Sequence, residues 1–465
     1  MRKDILVLAI ILFSVSKLIA QQKSVLYDFR AIPQSQLLNP SIIPEYKYHI
    51  GFPALSGIYT NVGLKNVSIY DVFSKNNTDF VEKLREIAYD LDKNDYFEIN
   101  QQMDIINVGF HLPKSKIYLS AGIYQELDVF MHYPEDAVHF FFEGTSILDK
   151  RYNLGDITVK GELLGVLHFG AAKKVNEKLT LGGRLKLYSS AANIKLTNSR
   201  GTYYTSQGTD NYYSHNFEDV YIKLQTSGII YNDNDADPTA GDYVRNTFFG
   251  GGLGLGLDGG FTYDVTDQWR VTGSFQDLGF VNNSVHNKSY IADGDFSTQG
   301  IDFQFNPDEP LDYWQQLEDD FDESIPRDTI YSSYTTMRPL KLNASASYRF
   351  HIMEKCGCYN TIDDIEYREE VGGQIYTVFR PKKPRLALTA FYSRRLFRNL
   401  YSKITYTVDS YSYTNVGIGL SAKFGLFQMY GIFDNVLEVA NIYKSNQLGL
   451  QFGMNFIIDG KNKDK

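Results

Sequence analysis

The sequence predicts an all-β fold, a membrane-spanning antiparallel β-barrel of about fourteen strands with helices in its extracellular loops. The first observation is a hairpin pattern in residues 251–280, where apolar residues alternate with small or polar ones on both sides of a turn at 265–268. A period of two residues gives a strand one apolar and one polar face. The second is composition, because Tyr, Phe and Gly number 35, 31 and 37 while the mean hydropathy is −0.30. The third is the order of long and short connections along the chain.

The start of the chain has the features of a secretory signal peptide, which we expect to span residues 1–20. Arg2 and Lys3 precede a short apolar run at 5–13, and Ala20 stands before a polar start. The run is too short and too often interrupted for a membrane anchor. No later stretch approaches the roughly 18 apolar residues of a membrane-spanning helix. An exported chain that enters a membrane without helices must form a closed barrel.

Length and charge narrow the class of function. The formal net charge of −9 argues against a nucleic-acid partner, for which a basic face is expected. One large barrel with long loops accounts for 465 residues without a linker. The sequence contains no recognisable nucleophile motif, phosphate-binding loop or zinc-ligand spacing. We therefore expect neither an enzyme nor a bound cofactor, and we expect outer-membrane lipid as the surroundings of the barrel.

The segment at 21–45 precedes the barrel. It contains Pro33, Pro40 and Pro44, and prolines at this density resist a regular strand. We expect this segment to lie in the periplasm or in the lumen of the barrel. The barrel is expected at 46–459, and residues 460–465 form a charged tail.

The strands follow from alternation between apolar and polar residues, and the loop helices follow from a helical period. The predicted strands are 47–62, 99–112, 116–131, 157–171, 178–197, the two strands of the 251–280 hairpin, 340–350, 371–379, 385–396, 401–408, 415–424, 426–433 and 447–458. One helix is predicted at 77–91, with Asn77 or Thr78 as its N-cap, and another at 311–322.

The lengths of the connections test the barrel independently of hydropathy. The long stretches 63–98, 132–156, 198–250 and 281–339 all follow odd-numbered strands, whereas short turns follow even-numbered ones. Long outer loops and short periplasmic turns are typical of outer-membrane barrels. A soluble sandwich, whose hairpins alternate in the same way, has no reason to sort its loops. The stretch 351–370 is an exception, because it is long for a periplasmic turn.

Six ionisable side chains are expected to point into the lumen. Charged residues that face lipid would cost about 2–4 kcal/mol each. Inward charges therefore fit either a polar channel or a network of salt bridges that fills the lumen, and we favour the network. The six residues are Glu162, His168, Arg184, Lys186, Asp258 and Arg270.

An acidic loop is a weak candidate for a metal site. Asp233, Asp235 and Asp237, followed by Asp242, could offer carboxylates to a hard cation such as Ca²⁺. The pattern departs from an EF-hand because Pro238 replaces the turn glycine. A solvated acidic loop is therefore the favoured interpretation.

Cys356 and Cys358 lie in the long periplasmic turn. Export permits a disulfide between them, although free thiols remain an alternative. Two cysteines without a neighbouring histidine make a metal site unlikely in this turn.

Several segments resemble a known family over nearly the whole mature chain. They are IPQSQLLNPSIIPEYKYHIGFPAL at 32–55, LTLGGRLKLYSSAANI at 179–194, the hairpin at 251–280 and FQMYGIFDNVLE at 427–438. Together with the helix of the first long loop, they resemble an uncharacterised family of Bacteroidota outer-membrane β-barrels with a domain of unknown function. This family is distantly similar to the long-chain fatty-acid transporter-like barrels, which include components of the gliding and type IX secretion apparatus. The resemblance implies a barrel with an N-terminal segment in or under the lumen, and it implies no defined substrate.

Two functions remain open at the level of sequence. The first is a porin-like role, the passage or binding of a hydrophobic or small solute across the outer membrane. The alternative is a structural or adaptor barrel that holds a surface or secretion-machinery protein of the type IX or gliding kind. An open lumen would favour transport, and a plugged lumen would favour the adaptor.

Overall fold

The computed structural model describes residues 23–459 apart from 45, 69, 72–78, 113–114, 210, 229–238, 251, 300–323, 326, 353–366, 410–412, 414 and 440–446. Its strands form one antiparallel sheet that closes into a barrel of fourteen strands, which confirms the predicted fold class. In this part of the chain, no helix is long and apolar enough to cross a membrane. The expected signal peptide and charged tail lie outside the described residues.

Two of the fourteen barrel strands are divided into two segments each. The first comprises β1 (Tyr46–Gly51) and β2 (Ile58–Leu64), and the eighth comprises β14 (Tyr334–Met337) and β15 (Lys341–Ile352). The others are β3 (Tyr96–His111), β4 (Ile117–His132), β6 (Thr158–Lys174), β7 (Leu179–Leu196), β10 (Gly252–Asp264), β11 (Trp269–Asn283), β16 (Tyr367–Phe379), β17 (Pro384–Phe397), β18 (Leu400–Val408), β19 (Asn415–Phe424), β20 (Phe427–Phe433) and β21 (Gln447–Asp459).

The ring closes between its first and last strands. β1 and β2 both pair with β21 on one side and with β3 on the other, with Gly51 opposite Asn455 and Val62 opposite Leu448. Tyr46 and Asp459 are paired at one end of the barrel. We call this the turn end, because most of the short connections lie there, and the opposite end the loop end.

The prediction of one continuous first strand at 47–62 was wrong. The backbone leaves the ladder between β1 and β2, where Pro53 cannot donate a hydrogen bond and Ala54 has a φ of 59°. The Phe52 amide still donates to Met454 O at 2.9 Å, and the Ala54 amide to Ile105 O at 2.9 Å. The excursion is therefore a bulged loop that stays fastened to both neighbouring strands.

The long connections at the loop end contain five further strands that extend the barrel sheet and that were predicted only as loops; we call them the loop-end sheet. It consists of β5 (Arg151–Asn153), β8 (Arg200–Gln207), β9 (Tyr213–Gly228), β12 (Lys288–Thr298) and β13 (Arg327–Ile330). β9 continues from the barrel wall, because Ala192 of β7 pairs with Gly228. Polar and aromatic residues occur on both faces of β8 and β9, so alternation could not reveal them.

Helices occupy the remaining parts of the described loops. The first, Phe80–Asp90, falls within the predicted helix, but its N-cap is Asp79, whose carboxylate accepts a hydrogen bond from the Val81 amide at 2.8 Å. Asn77 and Thr78, the expected caps, lie outside the described residues, as does the helix predicted at 311–322. A helix at Glu135–Glu143 was not predicted.

The two faces of the wall differ as the alternation requires. Leu255 is 48% exposed on the outer face, whereas Asp258 is 0% exposed inside. Trp269 and Tyr263, near the turn end, are also exposed on the outside. The apolar face therefore covers the exterior, and the buried charged and polar side chains lie in the interior.

Candidate functional site

The interior of the barrel near the turn end is occupied by the N-terminal segment, residues 23–44. Tyr27 and Thr272 of β11 share a hydrogen bond of 3.0 Å between their hydroxyls, and Thr272 Oγ1 also donates to Asp28 at 2.8 Å. Further along, Gln34 Nε2 donates to Asn455 Oδ1 at 2.7 Å. Most of these contacts join neutral polar groups, so the segment is seated by many modest interactions.

An apolar cluster anchors the same segment against the wall. Val25, Leu26, Phe29 and Ile32 are buried together with Tyr430 and Ile432 of β20. The segment is therefore held by apolar packing as well as by its polar contacts.

Two inward-facing glycines allow the segment to lie directly on the strands. A Cβ atom at Gly182 of β7 would overlap the backbone of Pro40 and Ser41. A Cβ atom at Gly260 of β10 would overlap the side chain of Asn39. The absence of a side chain at these two positions is therefore a requirement of the packed arrangement.

A continuous chain of eight charged side chains crosses the interior; we call it the eight-charge network. It contains four cations and four carboxylates, in the order Arg184, Asp258, Lys186, Asp277, Lys341, Glu126, Arg338 and Glu162.

The spacing of the network is that of direct ion pairs. Lys186 Nζ lies 2.9 Å from Asp258 Oδ2 and 2.6 Å from Asp277 Oδ1. Arg338 pairs with both Glu126, at 2.8 Å, and Glu162. At the other end, Arg184 Nη2 donates to Gln36 O of the N-terminal segment at 2.6 Å. The network thus connects the N-terminal segment to the loop end of the barrel.

A second group of ion pairs joins opposite walls near the loop end; we call it the Arg380–Arg385 network. Arg380, which follows β16, lies 2.6 Å from Asp128 of β4 and 3.0 Å from Glu98 of β3. Arg385 of β17 lies 2.9 Å from the same Glu98. Both guanidinium groups lie over the ring of Phe130. The ninth and tenth strands are thereby held against the second and third across the lumen.

A small cavity remains between the N-terminal segment and the ion pairs. Its volume is about 40 Å³. Lys23 of the segment reaches into it and donates to Gln102 Oε1 at 2.5 Å. Glu126, Asp277 and Lys341 line it together with amide and tyrosine side chains. Leu37, Leu38 and Leu127 also line it, and its small volume suits water rather than a larger solute.

The arrangement of charges is closed and balanced. Each of the two networks contains equal numbers of cations and carboxylates, and none of these side chains is more than 12% exposed. Buried ion pairs of this kind add little net stability compared with apolar packing, but removal of one partner leaves an uncompensated charge. The pairs therefore hold the two walls in one defined arrangement.

The six residues predicted to face the lumen occupy three different environments. Arg184, Lys186, Asp258 and Glu162 all belong to the eight-charge network. Arg270 lies apart from it, near the turn end, and pairs with Asp264 at 2.8 Å. His168 packs against Tyr124, with 5.7 Å between ring centroids.

The residues that complete the two networks were not among the six predicted to face the lumen. Alternation puts Lys341 and Glu126 on the inner face of their strands, so a search for inward charges would have found them. Arg338 and Arg380 lie just outside β15 and β16, where no period applies. Asp277 follows the buried Gln276 directly, because the hairpin register shifts between Leu257 and Gly259. Two consecutive residues then face inward, against the expected alternation.

The acidic loop and the cysteine pair were the weaker candidates for a site. Asp233, Asp235, Asp237, Cys356 and Cys358 lie outside the described residues. Within the described ranges, no group of three or more His, Cys, Asp or Glu side chains is arranged to hold a metal ion.

At the loop end, a carboxylate ties the helix Glu135–Glu143 to the loop-end sheet. Glu143 accepts hydrogen bonds from Lys150 and from Tyr152, the latter at 2.7 Å, and from Tyr89 at 3.1 Å. Partial burial opposes ionisation of Glu143, but these three donors outweigh it and hold the pKa of the carboxyl below its usual range. The contact fixes the helix over the aromatic side chains of β5 and β8.

Comparison with solved structures finds similarity to two toluene transporters and to a FadL homologue. The toluene transporter TbuX of Ralstonia pickettii is 12% identical, with 92% of this chain and 94% of that chain covered and a TM-score of 0.41. A Pseudomonas aeruginosa FadL homologue is 8% identical, with 96% and 100% covered and a TM-score of 0.46. The toluene transporter TodX of Pseudomonas putida is 9% identical, with 91% of each chain covered and a TM-score of 0.34.

Comparison at the level of sequence gives a match to one family model. No curated protein sequence matches the chain. The model of a family of unknown function, DUF5723, matches residues 40–434. This match covers most of the chain, and the protein therefore belongs to the DUF5723 family.

Proposed function

We propose that this protein is an outer-membrane barrel for the regulated passage of a small polar solute, and that its interior is held closed by two devices in series. The turn end is then periplasmic and the loop end extracellular. The observation that carries the proposal is the interior itself, where polar side chains predominate and which is filled by a segment that joins the barrel wall at Tyr46.

The N-terminal segment is suited to withdrawal. Its polar contacts with the wall, such as those of Tyr27 and Gln34, can be replaced by water when the segment leaves. The strands behind it present Thr262, Thr272 and Ser345, which would line a wet passage. A lumen lined by such groups favours a polar solute over a hydrocarbon.

The ion pairs are suited to act as the second barrier. The Arg380–Arg385 network joins opposite walls directly, so a solute that passes the N-terminal segment still meets it. The eight-charge network contacts both that segment, through Arg184, and the loop end, through Arg338. Movement of the segment would therefore remove a hydrogen-bond acceptor from Arg184.

A second function is favoured by the closed lumen and by the loop end. A structural barrel that anchors a surface or secretion-machinery protein needs no passage. The loop-end sheet would offer such a partner a platform. Phe141 is 79% exposed on the helix Glu135–Glu143, and Tyr212 is exposed beside β9. These side chains are the natural contact points for such a partner.

Conductance in planar lipid bilayers tests passage. The mature chain is compared with a variant that lacks residues 21–40, with Arg338→Gln/Arg380→Gln, and with the combination of both changes. We expect the mature chain to conduct least and the combination to conduct most, because each closure blocks the path when the other is removed. Folding of each variant is verified by heat-modifiable migration in electrophoresis. A folded combination variant that conducts no more than the mature chain would contradict the passage and favour the anchoring role.

A further inference from the structure

The outer wall of the barrel carries an apolar groove that the proposed passage does not use. Its volume is about 630 Å³, and it runs across β11, β15, β16, β17 and β18. Ala346, Gly373 and Ala390 are direct neighbours across three of these strands and form its floor. The larger side chains of Val271 and Tyr406 close the same row at either side.

Large side chains stand beside this floor. Ile375 and Leu388 are paired in the adjacent row, and they are 48% and 42% exposed. Both belong to the lining, which is apolar on its outer side. A narrow depression of this kind accepts a single hydrocarbon chain better than the flat wall of another barrel.

Towards the turn end, the groove leads into aromatic and then charged rows. The aromatic row contains Trp269, Tyr348 and Tyr392, in register through Val371 of β16. Aromatic residues of this kind mark the level of lipid head groups. The next row pairs Glu369 with Arg394. Arg394 is four residues from Ala390, or about 13 Å along the strand, so the groove and the charged row fit within one leaflet.

Arginine predominates over carboxylate at this level of the described wall. Arg394 Nε lies 3.6 Å from Glu369 Oε1. Arg368 and Arg398 are exposed close by, and Arg368 Nε donates to Arg395 O at 3.3 Å, which places it against the end of β17. At this end of β17, the Arg394 guanidinium is paired with one carboxylate and the exposed Arg398 follows four residues further on, and guanidinium is well suited to bind phosphate.

We propose that the groove and these arginines bind one anionic phospholipid of the periplasmic leaflet. An acyl chain lies in the groove over Ala346, Gly373 and Ala390, and the phosphate lies at Arg394 and Arg398. The charge of the rim selects an anionic head group, and the apolar lining of the groove retains the chain. The inference rests on the membrane location proposed above, but not on the passage of any solute.

Native mass spectrometry tests the site. The full mature protein is reconstituted with equal amounts of dioleoylphosphatidylglycerol and dioleoylphosphatidylcholine, and lipids retained after gentle activation are counted. Ala346→Phe fills the groove from the outer face, and Arg394→Gln removes one charge of the rim. The matched controls are Ala121→Phe, at an outward position between Val108 and Phe169 on the distant wall, and Lys173→Gln, at the exposed turn end of β6.

The wild-type protein should retain one phosphatidylglycerol in preference to phosphatidylcholine. Ala346→Phe should lose most of this retained lipid, and Arg394→Gln should lower the preference about fivefold, as expected for one basic residue at a membrane surface. The two controls should behave as the wild type does.

Three results would overturn the proposal: equal loss in the controls, retention unchanged by Ala346→Phe, or a dimer that Ala346→Phe abolishes. The last would identify the groove as a contact between two copies of the chain. Because the readout is lipid retention, its failure would leave the conductance experiment unaffected.

Discussion

The two closures of the lumen differ in how they are built. Near the turn end, the N-terminal segment closes the barrel as a body, with mostly neutral hydrogen bonds, a few that involve charged groups such as Asp28 and Arg184, and one apolar cluster. Towards the loop end, single charged side chains such as Arg338 and Arg380 join strands that are distant around the ring. A neutral hydrogen bond is worth about 0.5–1.5 kcal/mol, whereas breaking a buried ion pair costs about 3–5 kcal/mol. The first closure therefore depends on the sum of many small contacts, whereas the second is expensive to break even one residue at a time.

Arg338→Gln should have the largest effect on this comparison. The guanidinium group is fully buried and pairs with Glu126 and Glu162, so its loss leaves two carboxylates with too little positive charge. We expect the free energy of unfolding to fall by about 3–5 kcal/mol. Urea titration of the reconstituted barrel, followed by tryptophan fluorescence and by electrophoretic mobility, measures this change.

The control for Arg338 is an exposed pair. Arg200 lies 3.0 Å from Asp219, but the two side chains are 53% and 76% exposed. Arg200→Gln should change the free energy of unfolding by no more than about 1 kcal/mol. If the two variants were equally stable, the eight-charge network would contribute no more to stability than an exposed ion pair. The contrast between the two closures would then disappear.

Gly182→Val should have an intermediate effect on stability and a specific effect on the N-terminal segment. The new side chain would occupy the place of Pro40 and Ser41, so we expect overpacking to cost about 1–3 kcal/mol and to expose the segment to protease from the turn end. Limited proteolysis and conductance measure the displacement. The neighbouring Gly183 is exposed on the outer face, and Gly183→Val should leave the segment protected. Equal cleavage of both variants would show that strand damage, rather than contact with the segment, is responsible.

Tyr27→Phe should have the smallest effect. It removes the hydrogen bond to Thr272, which still has Asp28 and Ser345 as partners. We expect a loss of about 0.5–1.5 kcal/mol in the same urea titration. A loss as large as that of Arg338→Gln would reverse the comparison, since the segment would then be the firmer closure.

The barrel could be predicted from sequence because each strand carries its own alternating pattern. Residues such as Leu255 and Asp258 report the lipid side and the lumen side from their position in the period alone. The interior could be predicted only as a set of inward charges, since periodicity gives direction but not partner. Arg338 and Arg380 meet carboxylates more than 150 positions away in the chain, and both lie outside strands. Their role follows from closure of the ring, which no local pattern encodes.

The pairing of Gly51 with Asn455 has a consequence for the kinetics of folding. These residues lie at nearly opposite ends of the chain, so the seam between the first and last strands is a contact of very high sequence separation. Contacts of this kind form late and slowly. The contacts of the N-terminal segment with β7 and β10 span shorter separations and can form while the sheet is still an open ribbon. We therefore expect the sheet to wrap around a segment that is already in place. The segment would then guide the curvature of the sheet during folding and fill the lumen of the finished barrel.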